Sequence, residues 1–290
     1  MCHPDPVPFT YFAHQIPVLP IKSRWAQLDG LALVVGSMAP DLWYVTNGWY
    51  FGPFNIHLWQ DGHAWRNAIG HWGLLTLVIC VVLRRWVFAV LPRAVPDGGD
   101  FHLHDFALLS RARPPWWSTV LCGILGGATH VLLDSFTHPD GFFVESIGAL
   151  RATLFTVAGH EVTLYKIFQE GGTVLGTLIG LELLRRMGRD RRIRAWYGVA
   201  PGAPTEGDRP LSAAAVRVLA FGALIGTVVG IFYAYSRSEL GRSDGLVPEH
   251  RASVPIMAFS WVFAGAVALS SVIAVALERR TADAELGAPV

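Results

Sequence analysis

Apolar residues in this chain gather into long runs instead of alternating with polar ones. Val218–Ser236 and Val254–Leu277 are apolar over lengths that match the roughly 20 helical residues needed to cross a hydrocarbon core. Ala68–Leu83, Trp116–Phe136 and Thr173–Leu184 are shorter or carry a polar interruption, Glu182 in the last. A sixth run, Leu28–Val45, is apolar but holds Gly36, Pro40 and Asp41. The pattern predicts an all-α fold: a polytopic integral membrane helical bundle with five to six membrane segments. Met1–Thr10 is proline-rich and shows no basic stretch followed by an apolar core, so no cleavable signal peptide is expected.

Composition supports a membrane reading. Of 290 residues, 52% are hydrophobic and only 16% charged, against about 25% charge in soluble domains. The formal net charge of +1 gives no basic face for nucleic acid, so the expected surroundings are membrane lipids. Cys80 and Cys122 lie in apolar runs and Cys2 at the terminus, which excludes a disulfide framework or a CxxC knuckle. Orientation follows from the cations. The run Arg185, Arg186, Arg189, Arg191, Arg192, Arg194 should be cytoplasmic. Alternating the segments from there leaves only Arg66, Arg151, Lys166, Arg237, Arg242 and Arg251 outside.

Three regions are expected. Residues 1–186 form a four-segment membrane block, 187–210 a polar cytoplasmic linker with Pro201 and Pro204, and 211–290 a C-terminal helix pair and tail. Gly222, Gly226, Gly230 and Gly265 suit close packing in that pair. Loop Arg93–Pro115 faces the cytoplasm and loop Thr137–Lys166 faces outward.

Ionisable groups at membrane depth are costly and usually have a partner or a task. Asp41 lies 17 residues after Arg24, His71 lies 13 before Arg84, and His130 lies 17 after Arg113. At about 1.5 Å per residue, all three fall roughly 20–26 Å above the inner interface. His130 and Asp134 are one helical turn apart, so both face one side, and His138 follows at the same interval before Pro139 and Gly141 end the helix. With Asp41, His71 and His14 as remote ligands, the set has the nitrogen and oxygen donors that Zn²⁺, Mn²⁺ or Fe²⁺ accept. His14 precedes Lys22 by only eight residues, about 12 Å of helix, a depth that conflicts with the others. Every one of these residues also has a structural reading, as interfacial polar groups, helix caps or loop contacts. His57, Asp61 and His63 read as an exposed, solvated loop, His102 and His104 as surface, and Glu182 as an interfacial ion pair with Arg185 and Arg186. Trp43, Trp49, Trp59, Trp65, Trp72, Trp116 and Trp117 fit interfacial belts.

The blocks Pro8-Phe-Thr…His14…Pro17-Val-Leu-Pro, Val35-Gly-Ser-Met-Ala-Pro-Asp41 and Gly127-Ala-Thr-His130-Val-Leu-Leu-Asp134-Ser-Phe-Thr-His138 resemble the bacterial family catalogued as domain of unknown function 4184. So does Tyr165-Lys166 followed by Gly171-Gly-Thr-Val-Leu-Gly176. The resemblance covers about residues 7–280 and implies a multi-pass protein of the bacterial plasma membrane. The order Thr-x-x-x-His, Pro-Asp, His, His-x-x-x-Asp is also similar, more loosely, to membrane proteins described as metal-dependent hydrolases. That similarity points to His14, Asp41, His71, His130 and Asp134. Two departures stand out: Tyr44 lies near where a second acid often follows Pro-Asp, and the Arg-Gly-x-Thr-His-Ser block is reduced to Ile69-Gly-His71-Trp.

The leading expectation is a metal-dependent hydrolase acting on a lipid-linked or membrane-proximal ester or amide. A divalent ion, Zn or Mn, would be held by His130, Asp134 and His71, with the cluster towards the outer face. Asp41 would complete the shell or act as general base. His138 would protonate the leaving group or support a ligand, and His14 would be a further ligand. The alternative is a non-catalytic scaffold or partner-binding protein in which a His/Asp layer holds helices together. A transporter fits less well, because the inner half of the segments is nearly bare of polar groups.

Overall fold

Among the described residues, four helical stretches are long and apolar enough to cross a membrane: Trp65–Ala94, Trp116–Ser146, Ala213–Tyr235 and Val262–Asp283. The structure, a computed structural model, describes residues 10–42, 62–157, 160–200, 202–243 and 250–287. In chain order these form a 3-10 turn (Thr10–Gln15), α1 (Val18–Arg24), α2 (Gly30–Gly36) and a second 3-10 turn (Pro40–Leu42). Helix α3 (Trp65–Ala94) follows, with two π-helical stretches, Ala68–Leu74 and Leu83–Val87. Then come α4 (Trp116–Thr137), α5 (Phe142–Ser146), the strands β1 (Thr153–Val157) and β2 (His160–Thr163), α6 (Leu164–Arg189), α7 (Arg192–Trp196), α8 (Ala213–Ser243) and α9 (His250–Gly287).

The described residues are overwhelmingly helical, as the sequence predicts. The departure is the antiparallel hairpin β1–β2, which pairs Val157 with His160 and Thr153 with Thr163. Two predicted segments differ in form. The described part of Leu28–Val45 is a seven-residue helix that ends at Gly36, and Pro40, which cannot donate to a helical ladder, opens a separate 3-10 turn. Thr173–Leu184 lies within α6, which is 26 residues long but carries Lys166, Glu170, Glu182 and Arg185 and is not among the four apolar spans.

The chain builds two compact units, each from separated stretches of sequence. The first comprises Met1–Leu77, Pro115–Leu183 and Gly241–Ser253. Its core is α4 packed between α2 and the start of α3. The backbones meet through glycine: a Cβ on Gly36 would collide with the Gly123 carbonyl, and one on Gly126 with the Leu33 carbonyl. Gly127 receives the Trp72 ring, where an added Cβ would stand 2.6 Å from the indole. Trp72 is fully buried, so it is a packing residue and not part of an interfacial belt, whereas Trp65, Trp116 and Trp117 are exposed. Asp29 caps α2 by accepting from the Ala32 amide at 3.2 Å, and its other oxygen accepts from the Thr119 hydroxyl at 2.7 Å. A cap of this kind contributes about 1 kcal/mol, and here it also ties α2 to α4. Beyond α4, Val144, Leu150 and Tyr165 form a small buried cluster with Phe136, Phe143 and Leu164 packed on it.

The second unit comprises Val78–Pro114, Leu184–Leu240 and Val254–Val290. Val90, Ala215, Leu219, Ala274 and Val275 form its apolar centre. A Cβ on Gly226 would stand 2.8 Å from the Ala266 methyl and one on Gly230 2.8 Å from the Phe259 ring, so those glycines do set the α8–α9 contact, while Gly265 faces open space. Within the polar stretch 187–210 the described residues include α7 and a 3-10 turn, Glu206–Asp208. Arg191 takes a left-handed conformation (φ 52°) that turns the chain into α7. Arg194 and Asp105 are both buried and paired at 2.6 Å, with Arg191 on the same carboxylate at 3.1 Å. Arg93 bonds Glu278 at 3.0 Å and the carbonyls of Arg209 and Pro210. His102 and His104 are not free surface groups: both engage Asp97. Burial pushes the Asp97 carboxyl up, but the His104 amide and the His102 ring outweigh this and hold it below its ordinary pKa.

Candidate metal centre

Two side chains one turn apart on α4 found the site. His130 Nε2 and Asp134 Oδ2 stand 2.9 Å apart. The glycine contacts that seat α2 on α4 bring the Ser37 carbonyl to 2.7 Å from His130 Nδ1. A carbonyl only accepts, so Nδ1 carries a proton, and Nε2 is the nitrogen turned inward towards the carboxylates. That is how proteins orient an imidazole ligand. The 3-10 turn after α2 delivers Asp41, whose Oδ1 lies 3.4 Å from His130 Nε2. From just before α3 comes His63, with Nε2 3.4 Å from Asp41 Oδ1, 3.2 Å from Asp134 Oδ2 and 3.3 Å from His130 Nε2. The donor atoms of Asp41, His63, His130 and Asp134 all lie within 4.8 Å of one another.

The remaining predicted residues take different positions. His14 stacks on the His130 ring at 3.8 Å between centroids, and its Nε2 is 3.5 Å from Asp134 Oδ1. The depth conflict inferred for His14 is removed because the chain runs through a short turn and α1 in place of one long helix. His138 caps the end of α4, with Nδ1 3.6 Å from the same Oδ1. His71 is not brought into the four-residue group. It sits in the π-helical stretch of α3, fully buried, facing the backbone at Ala39 and Pro40. There it supports the turn that carries Asp41. His57 and Asp61 lie outside the described residues.

His63 is the member that sequence reasoning passed over as a solvated loop residue. Its side chain is 27% exposed, whereas those of His130 and Asp41 are 0% and 8% exposed. The group is therefore buried on three sides and most open at His63. A usable signal was its place immediately before a segment start at the predicted outer layer. Burial pulls the His63 pKa down, but hydrogen bonds to Asp134 and Asp41 outweigh it and raise the value to about 9. A proton on His63 thus offsets the two carboxylates when no cation is there to do so.

The donor set fits a divalent ion. Two imidazoles and two carboxylates without sulfur suit Zn²⁺, Mn²⁺ or Fe²⁺. Asp134 Oδ1 is buried and makes no hydrogen bond among the described residues, as befits a group meant for a cation.

Residues 7–275 match the family described as Domain of unknown function (DUF4184). The chain belongs to this family. The match spans every residue of the four-member group, together with His14, His71 and His138. No curated protein and no solved structure matches the chain.

Proposed function

We propose that this chain is a metal-dependent hydrolase of the bacterial plasma membrane, acting on a lipid-linked or membrane-proximal ester or amide. The observation that carries this reading is the joining of Asp41, His63, His130 and Asp134 into one donor group that is buried except at His63. A bound divalent ion supplies Lewis acidity and a coordinated water acidified towards neutral pH. Asp41 and Asp134 provide the charge that retains the ion, and Ser37 fixes the His130 ring through its carbonyl. Asp41 is also placed to accept a proton from the attacking water. His63, at the open edge, is the group an approaching substrate meets first.

The proposed topology has five or six crossings, with α6 as the fifth. At 26 residues it is about 39 Å long, enough to cross. A crossing there keeps the Arg185–Arg194 run on the same side as Arg93, Arg111 and Arg113, as the positive-inside rule requires. The His/Asp group then lies towards the outer face.

Hydrolysis of phospholipids and lipid-linked phosphoesters by the detergent-purified protein tests the function. Activity should vanish with a chelator, return with Zn²⁺ or Mn²⁺, and be lost in Asp41→Asn. A second reading, a structural His/Asp layer, draws on the way the group joins α4, the turn after α2 and the start of α3. Bound metal with no hydrolysis of any of these substrates would favour it.

A further inference from the structure

We propose that the cluster is built for two ions bridged by Asp134, an inference that rests on the metal reading above. The two oxygens of this carboxylate face different donor sets. Oδ2 looks towards His130 and His63, at 2.9 and 3.2 Å, and shares that group with Asp41. Oδ1 looks towards His14 Nε2 at 3.5 Å and His138 Nδ1 at 3.6 Å. Both spacings are longer than a hydrogen bond, which closes at about 3.2 Å. Two donors that share one ion at about 2.1 Å each stand up to about 4.2 Å apart, so these spacings suit ligands of a common cation.

The state of the donors points the same way. Asp134 Oδ1 is buried and accepts no hydrogen bond among the described residues. His14 is 5% exposed, so its Nε2 faces that oxygen away from solvent. A buried imidazole and a buried carboxylate oxygen that face each other without a hydrogen bond are explained by an ion between them. His138 Nδ1 also lies 3.2 Å from the Thr137 hydroxyl, which holds the ring at the end of α4 with this nitrogen towards Asp134. Asp134 then serves as the bridge, with Asp41, His63 and His130 on one ion and His14 and His138 on the other. Two-metal centres of this kind clamp both the attacking and the leaving oxygen of a displacement. On this assignment His138 is a ligand, and protonation of a leaving group is not its task.

The test is metal stoichiometry and magnetic coupling in the full-length, detergent-purified protein loaded with Mn²⁺ alone. Wild type should hold two ions per chain and give an exchange-coupled electron paramagnetic resonance spectrum. His138→Ala, at a part-exposed helix end that tolerates truncation, should hold one and give the six-line spectrum of an isolated ion, and His14→Ala should behave alike. One ion in wild type, retained in both variants, overturns the bridged pair and leaves the single-ion reading intact. Two ions unaffected by either variant overturn the assignment of His14 and His138. No bound ion at all removes both readings together.

Discussion

His130 Nε2 lies 2.9 Å from Asp134 Oδ2, across a single turn of α4. Both side chains are buried in a helix whose other buried positions are Val120, Cys122, glycines and Thr119. Everything else in the group is brought to this pair by other elements.

Loss of His63 should weaken metal binding without unfolding the protein, because its ring is the most open of the four. His63→Ala is expected to lower affinity by at least about tenfold, the scale seen when groups around a metal are removed. Competition titration with a fluorescent chelator measures this. Unchanged affinity would return His63 to the loop.

Metal binding should release protons from His63. Its pKa in the metal-free protein is raised from 6.5 to about 9. The protonated form therefore contributes stability that is fully present below 6.5 and is lost as pH rises through about 9. A metal needs the neutral ring, so apparent affinity should climb with pH up to about 9 and then level off. Calorimetry in buffers of differing ionisation enthalpy should find a proton released near neutral pH, and His63→Ala should abolish that release.

Truncation of His71 separates support from ligation. The ring is fully buried against the backbone at Ala39 and Pro40, so His71→Ala should cost about 1–3 kcal/mol of stability while metal stoichiometry stays at the wild-type value. Thermal unfolding and elemental analysis on the same sample give both numbers. Metal loss at full stability would make His71 a ligand after all.

A methyl group at the α2–α4 contact should disturb the site from a distance. In Gly126→Ala the new carbon meets the Leu33 carbonyl, which forces the helices apart at a cost of about 1–3 kcal/mol. Ser37 then retreats from His130, and metal affinity should fall with stability. Gly148→Ala, in open space, is the matched control and should change neither.

The buried pair Asp105–Arg194 should matter for folding alone. Asp105→Ala leaves Arg194 and Arg191 without their shared carboxylate and should destabilise the protein by about 3–5 kcal/mol. Metal content of the surviving folded fraction should be unchanged.

Much of this was readable from the residues. His130-x-x-x-Asp134 declares a shared helix face by spacing alone, and the long apolar runs declare membrane helices. The height of Asp41 counted from Arg24 assumes one continuous helix, whereas Gly36 ends α2 and a separate 3-10 turn carries the aspartate. His63 was missed because a loop residue has no periodicity, and only its neighbours in space reveal its role. His71 looked like a ligand because it shares their layer, but the π-helical stretch around it sets which way the ring faces. The burial of Arg194 in the polar stretch has no local signal, because its partner Asp105 is far away in sequence.

The most direct measurement is the metal content of the detergent-purified protein, by elemental analysis, beside His130→Ala and Asp134→Ala. Wild type should carry at least about one equivalent of a transition metal, and both variants should lose it. Wild-type protein that holds no metal after reconstitution with Zn²⁺ and Mn²⁺ would contradict the metal centre and leave a structural polar layer in its place.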